Sequence, residues 1–159
     1  MLLIGPQTAS MSAGRHLPSR HLKIGKSEKE IVMPLVRVSL LRGKPRPYRA
    51  AILENIYQAL RETFNVPEND RFMVLTEHDP EELVFSRNYM GIDRSDGFVL
   101  IQLTISNTRT QEQKNALFAR IVERLGKGPG VRPEDVMISL VEGDQGNWSF
   151  GHGLAQYVM

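Results

Sequence analysis

The sequence predicts an α+β fold in which two βαβ repeats form a four-stranded mixed sheet with two helices on one face. Two observations carry that expectation: an ungapped internal repeat, and the same order of strand-like and helix-like periodicity in each copy. The repeat has an offset of 65 residues. Val36 and Val38 match Ile101 and Leu103, and Ile52, Ile56 and Leu60 match Leu117, Ile121 and Leu125. Asp70, Leu75, Glu77 and Asp79 match Asp135, Leu140, Glu142 and Asp144, and Phe85 matches Phe150. Single apolar matches are cheap, whereas a shared register of strand, helix, strand and acidic residues marks a duplicated unit.

The elements follow in order. A strand is expected at residues 34–41, where Leu35-Val36-Arg37-Val38-Ser39-Leu40 alternates. A helix is expected over 47–64, with Tyr48, Ile52, Ile56 and Leu60 along one face, and then a strand at 71–77. The second copy places a strand at 98–106, a helix at 111–125 and a strand at 136–142. Thr110-Gln111-Glu112-Gln113 has the capping-box pattern that opens a helix, and Gly126 is placed to end it. Strands within a βαβ unit run parallel through their crossover helix. A pseudo-twofold between the two units sets their first strands antiparallel.

Composition bounds the rest. With 159 residues, 41% hydrophobic and 24% charged, the chain holds one compact domain and an extension. It has no cysteine, which excludes disulfides, thiolate nucleophiles and Cys-based zinc sites and fits a cytoplasmic setting. The pI near 9.0 is misleading. Arg15, Arg20, Lys23, Lys26 and Lys29 stand against only Glu28 and Glu30 in residues 1–33, so residues 34–159 are close to neutral. No nucleic-acid partner is expected on that basis. No apolar run approaches the ~20 residues of a membrane span. Residues 1–33 are rich in Ser, Gly, Lys and His without periodicity, and read as a disordered extension or a mis-annotated start ahead of a domain at 34–159.

The topology gathers chemistry at one edge of the sheet. Pro34 begins the first strand, Asp70 immediately precedes the strand parallel to it, and Asn107-Thr108-Arg109 leaves the antiparallel strand there. Each is ordinary alone: Pro opens strands, Asp fills turns, and Arg ahead of a helix is usually solvated. Together, a proline, a carboxylate and a guanidinium form a candidate site. His16, His21, His78 and His152 show no metal-ligand spacing, so no metal or other cofactor is expected. His78 reads as a turn residue and His152 as part of a surface loop. Gly126-Lys127-Gly128-Pro129-Gly130 lacks phosphate-loop spacing, and Arg87 and Arg94 read as solvated.

Specific motifs add a resemblance. Met33-Pro34-Leu35-Val36-Arg37-Val38 and Val66-Pro67-Glu68-Asn69-Asp70-Arg71-Phe72 resemble the tautomerase superfamily. Thr104-Ile105-Ser106-Asn107-Thr108-Arg109-Thr110-Gln111-Glu112-Gln113-Lys114 and Asn147-Trp148-Ser149-Phe150-Gly151 resemble its malonate semialdehyde decarboxylase-like branch. The resemblance implies a catalytic amino-terminal proline at Pro34, an acid at Asp70 that hydrogen-bonds near it and activates water, and substrate-carboxylate binding by Arg109. It implies aromatic residues near the pocket and the subunit contact at Trp148 and Phe150, and a homotrimer. Asn107 stands where that branch carries the first of two arginines; its amide hydrogen-bonds a carbonyl but supplies no charge.

An amino-terminal proline is a rigid secondary amine, and terminal amines have a reference pKa of about 7.7–8.0. In the neutral form it takes a proton alpha to a carbonyl and returns it elsewhere, a keto–enol tautomerisation of a small 2-oxo acid. In the protonated form it polarises a carbonyl for decarboxylation or hydration of a 3-oxo or unsaturated acid. One positive charge fewer at Asn107 favours proton transfer. Either chemistry needs Pro34 to be the first residue, because an internal proline nitrogen is an amide. Initiation at Met33 and its removal supplies that, and Lys29-Glu30 can be encoded as a ribosome-binding sequence. With residues 1–33 retained, the domain reads instead as a catalytically silent trimeric binding module.

Overall fold

The structure is a computed structural model that describes residues 33–159. The expected extension over 1–33 therefore lies outside the described residues, apart from Met33. Strand β1 spans Leu35–Leu41, helix α1 Arg46–Phe64 and strand β2 Phe72–His78. Strand β3 spans Val99–Ser106, helix α2 Gln111–Lys127 and strand β4 Val136–Gly143. The sheet order is β2-β1-β3-β4. β1 runs parallel to β2 and antiparallel to β3, and β3 runs parallel to β4. This is the expected duplicated architecture.

Alternation decides which face is covered. Val36, Val38 and Leu40 of β1 and Ile101, Leu103 and Ile105 of β3 point toward the helices and are buried. Ile52, Ile56 and Leu60 of α1 and Leu117, Ile121 and Leu125 of α2 recur at helical spacing and close on them. The opposite face has no helix over it and leaves Phe72, Val74, Met137 and Val141 exposed.

The capping box of α2 is present in both directions, with Gln113 N–H donating to Thr110 Oγ1 and the Gln113 side chain accepting from Thr110 N–H. The expected stop at Gly126 is corrected. The helix runs through Gly126 to Lys127 and stops at Gly128, whose N–H donates to Arg124 O, because Pro129 cannot continue it. α1 ends at Asn65 in the left-handed region, φ 54°. His78 is likewise corrected from a turn to the last residue of β2, its Nε2 3.2 Å from Ser39 Oγ on the neighbouring strand.

Candidate active site at one end of the sheet

β1 and β2 start at the same end, with Leu35 paired to Phe72, and the antiparallel register pairs Leu35 with Thr104 near the end of β3. Pro34, one residue before that row, is buried, and Met33 behind it is only 1% exposed. Asp70 sits two residues ahead of Phe72 on a turn closed by its own N–H donating to Pro67 O at 3.1 Å. Tyr57 of α1 holds that turn from beneath, its phenol donating to Pro67 O and Glu68 O. Arg71 covers the same ring at 4.7 Å and reaches Glu54 at 2.9 Å. Burial raises the Asp70 carboxyl above its ordinary value.

The chain after β4 folds back over this end through aromatic contacts. Phe150 meets Phe72 at 5.7 Å, Trp148 at 6.0 Å in a near-parallel stack, and Tyr157 edge-on at 5.2 Å. The segment is cinched by Gln156, which accepts from Phe150 N–H and donates to Gly151 O. His152 lies in its exposed turn. Burial and then the Asp70 charge push the Tyr157 phenol upward, which places that hydroxyl in the carboxylate's field. Sequence reasoning passed over Tyr157 and Tyr57. A tyrosine in the irregular 144–159 segment carries no local pattern, and Tyr57 looks like any residue on a helix face.

The other two expected site residues leave β3 at this end and are engaged with the protein. Asn107 Nδ2 donates to Asp144 Oδ1 at 2.6 Å, and its N–H reaches Gly143 O, tying the end of β3 to the start of the closing segment. Arg109 is only 7% exposed. Its Nη2 donates to Phe64 O at 3.1 Å and its guanidinium lies 4.9 Å over the Phe64 ring. A cation on the last carbonyls of α1 is well placed against the helix dipole. In the single chain the fork is thus turned onto a helix end rather than open to solvent. Arg94 also differs from its expected solvated state: its Nη1 donates to the carbonyls of Ser86, Tyr89 and Ile92 and shapes the 79–97 connection.

A duplicated βαβ fold with a proline, a carboxylate and an aromatic cover at one sheet end defines the class, and comparisons with known proteins define the family. Two models described as tautomerase enzyme match residues 70–151 and 34–91. A probable tautomerase of Bacillus subtilis (strain 168), YusQ, is 36% identical over 126 residues, 79% of this chain and 99% of that protein. A second from the same organism, YrdN, is 31% identical over 79% of this chain and 97% of its own. The chain belongs to the tautomerase family. Among solved structures, FG41 malonate semialdehyde decarboxylase inhibited by 3-bromopropiolate is 39% identical with a TM-score of 0.73, covering 78% of this chain and 94% of its own. A fused 4-OT described as a symmetric trimer shares the fold, with a TM-score of 0.63 at 19% identity over 76% of this chain and 94% of its own. No helix among the described residues is long and apolar enough to cross a membrane.

Proposed function

We propose that the chain is a cytoplasmic acid–base enzyme in which Pro34, as first residue, transfers a proton on a small carboxylate-bearing 2-oxo acid. The observation that carries the reading is the placement of Pro34 at the head of a central strand, at the same sheet end as a half-buried Asp70 and an aromatic cover. A neutral proline nitrogen removes the proton alpha to the substrate carbonyl and returns it to the enol, so no other reactant is needed. Asp70, its carboxylate made more basic by burial, favours the protonated amine after the transfer. Trp148, Phe150 and Tyr157 exclude water above it, and the Tyr157 hydroxyl donates toward the substrate's oxygen. Arg109 supplies positive potential from beneath the site for a substrate carboxylate, and Asn107 positions the closing segment through Asp144.

Loss of residues 1–33 also makes room. Met33 is almost wholly buried beside Pro34, so its removal vacates the volume of its side chain next to the freed nitrogen. The exposed Phe72, Val74 and Val141 on the uncovered sheet face support assembly of a homotrimer, the state described for the fused 4-OT relative. A second reading is favoured by the 39% identity to malonate semialdehyde decarboxylase: a protonated Pro34 polarising a 3-oxo acid so that it loses carbon dioxide.

The test pairs intact mass of the protein made from its own gene with rates on the enol of a 2-oxo acid and on a 3-oxo acid. We expect a chain starting at Pro34, and a fall of about 100-fold or more on Pro34→Ala. Full activity in a chain of verified mass retaining residues 1–33 would remove Pro34 as the base. Carbon dioxide release without enol ketonisation would select the second reading.

A further inference from the structure

Strand β3 ends in a polar residue that has found no partner. By alternation Ser106 follows Gln102 and Thr104 onto the sheet face that carries no helix. Phe72, Val74, Met137 and Val141 on that face are exposed, yet Ser106 is only 2% exposed. Among the described residues nothing hydrogen-bonds its buried Oγ. Buried hydroxyls are nearly always paired, because leaving water without a new partner is costly.

The strand register explains why this one is not. On one side Ser106 pairs with Gly143 of β4, which has no side chain to offer. On the other, counting the β1–β3 register two residues past the Leu35–Thr104 pair brings Met33 opposite it. Met33 is 1% exposed and offers only a thioether, a weak acceptor. Pro34 is the next residue, so the orphaned hydroxyl stands at the candidate active site, under the end of the sheet where Phe150 meets Phe72 at 5.7 Å. A neighbouring copy cannot supply the partner, because Ser106 is already sealed within the single chain. Loss of residues 1–33 takes Met33 away and opens the volume beside the hydroxyl. The donors that follow in sequence are engaged elsewhere, Asn107 Nδ2 on Asp144 and Arg109 Nη2 on Phe64 O.

We propose that Ser106 is a substrate-binding residue, its hydroxyl donating to the carboxylate of the small acid handled at Pro34 once Met33 has gone. This deepens the reading of that site and rests on it for the identity of the substrate, while the binding itself needs no chemistry at Pro34. An O–H donating to a carboxylate makes a charge-assisted bond, stronger than one to a neutral acceptor.

The test reads binding apart from turnover. In the full chain the Pro34 nitrogen is an amide and cannot act as a base, and Met33→Ala opens the volume beside Ser106. Butanoate and the uncharged butanamide would be titrated against this variant, following the fluorescence of Trp148, the chain's only tryptophan, which stacks on Phe150. We expect saturable binding of butanoate, and binding about tenfold weaker either for butanamide or when Ser106→Ala is added. Equal affinity with and without Ser106, or no binding of butanoate, overturns the proposal. A second measurement does not depend on Met33→Ala. In the protein starting at Pro34, Ser106→Ala should lower kcat/KM on the enol of a 2-oxo acid about tenfold, while the melting temperature holds or rises. A purely structural hydroxyl gives the opposite pair, an unchanged rate and a lower melting temperature, and overturns the proposal. Ser106-dependent binding of butanoate in a protein whose turnover survives Pro34→Ala would discard the proline as base and keep the carboxylate site.

Discussion

Asp70 and Asp135 occupy the same position in two copies of one unit, yet the fold treats them oppositely. Asp135 is fully buried and spends both oxygens on Ser95, locking the 79–97 connection onto the sheet. The approach is close enough that a Cβ on Gly97 would lie 3.1 Å from Asp135 Oδ2, so any larger residue here would crowd the carboxylate. Asp70 stays half-exposed on a turn held by Tyr57, and burial raises its carboxyl instead of a partner lowering it. Duplication therefore supplied two equivalent acids. One became a structural strut, and the other kept a half-exposed carboxyl raised by burial, the kind of group that acid–base chemistry uses.

The sharpest way to break that contrast is to remove each acid. Asp135→Ala leaves a partly buried Ser95 N–H and hydroxyl without their acceptor and should cost about 2 kcal/mol in urea unfolding. Activity per folded molecule should hardly change. Asp70→Asn should do the reverse, lowering turnover about 10- to 100-fold. It should also leave the fold slightly more stable at neutral pH. The sign follows from the raised folded-state value: the native protein binds its proton more tightly, so stability falls as pH rises from the ordinary carboxylate range through the raised one. The advantage of Asn over Asp should accordingly vanish in acid, as read by thermal unfolding at several pH values.

Tyr157→Phe tests whether the cover contributes more than shape. The ring stays and the hydroxyl in Asp70's field goes, so kcat/KM should drop about fivefold with the melting temperature unchanged. An unchanged rate would reduce Tyr157 to packing. The smallest effect concerns the two helices rather than the sheet ends. Glu62 bridges Arg120 and Arg124, which hold its carboxyl at about 2 against an ordinary 4.5. Its stabilisation should be fully present above the ordinary value and lost as pH falls through about 2. The partners are about a third exposed, so Glu62→Gln should cost only about 0.5 kcal/mol at neutral pH, a cost that shrinks as pH falls through about 2.

Much of the fold was legible in the chain because its signals are local or periodic. Alternation in Val36, Val38 and Leu40, helical spacing in Ile52, Ile56 and Leu60, and the Thr110–Gln113 capping box all act within a few residues. The repeat then set the order in which they pair. The differences were also local: Gly126 is tolerated inside a helix that runs on to Lys127, two residues short of Pro129, and His78 extends β2 because its backbone pairs with Leu41 of β1.

What a side chain does with its charge was decided only in three dimensions. Sequence put Pro34, Asp70, Asn107 and Arg109 at one end, since strand order alone places them there. It carried no sign that Arg109 would lie over Phe64 and bond the end of α1, that Arg94 would gather three carbonyls, or that Tyr157 would return to Asp70. Nor did the repeat, in which Asp70 and Asp135 share a register, show that one carboxylate would be buried on Ser95 and the other left half-exposed. Those outcomes depend on contacts between residues far apart in the chain, where burial and a partner's field set the cost of a charge. Periodicity determines where a residue stands, and the packed neighbours determine what its charge is worth.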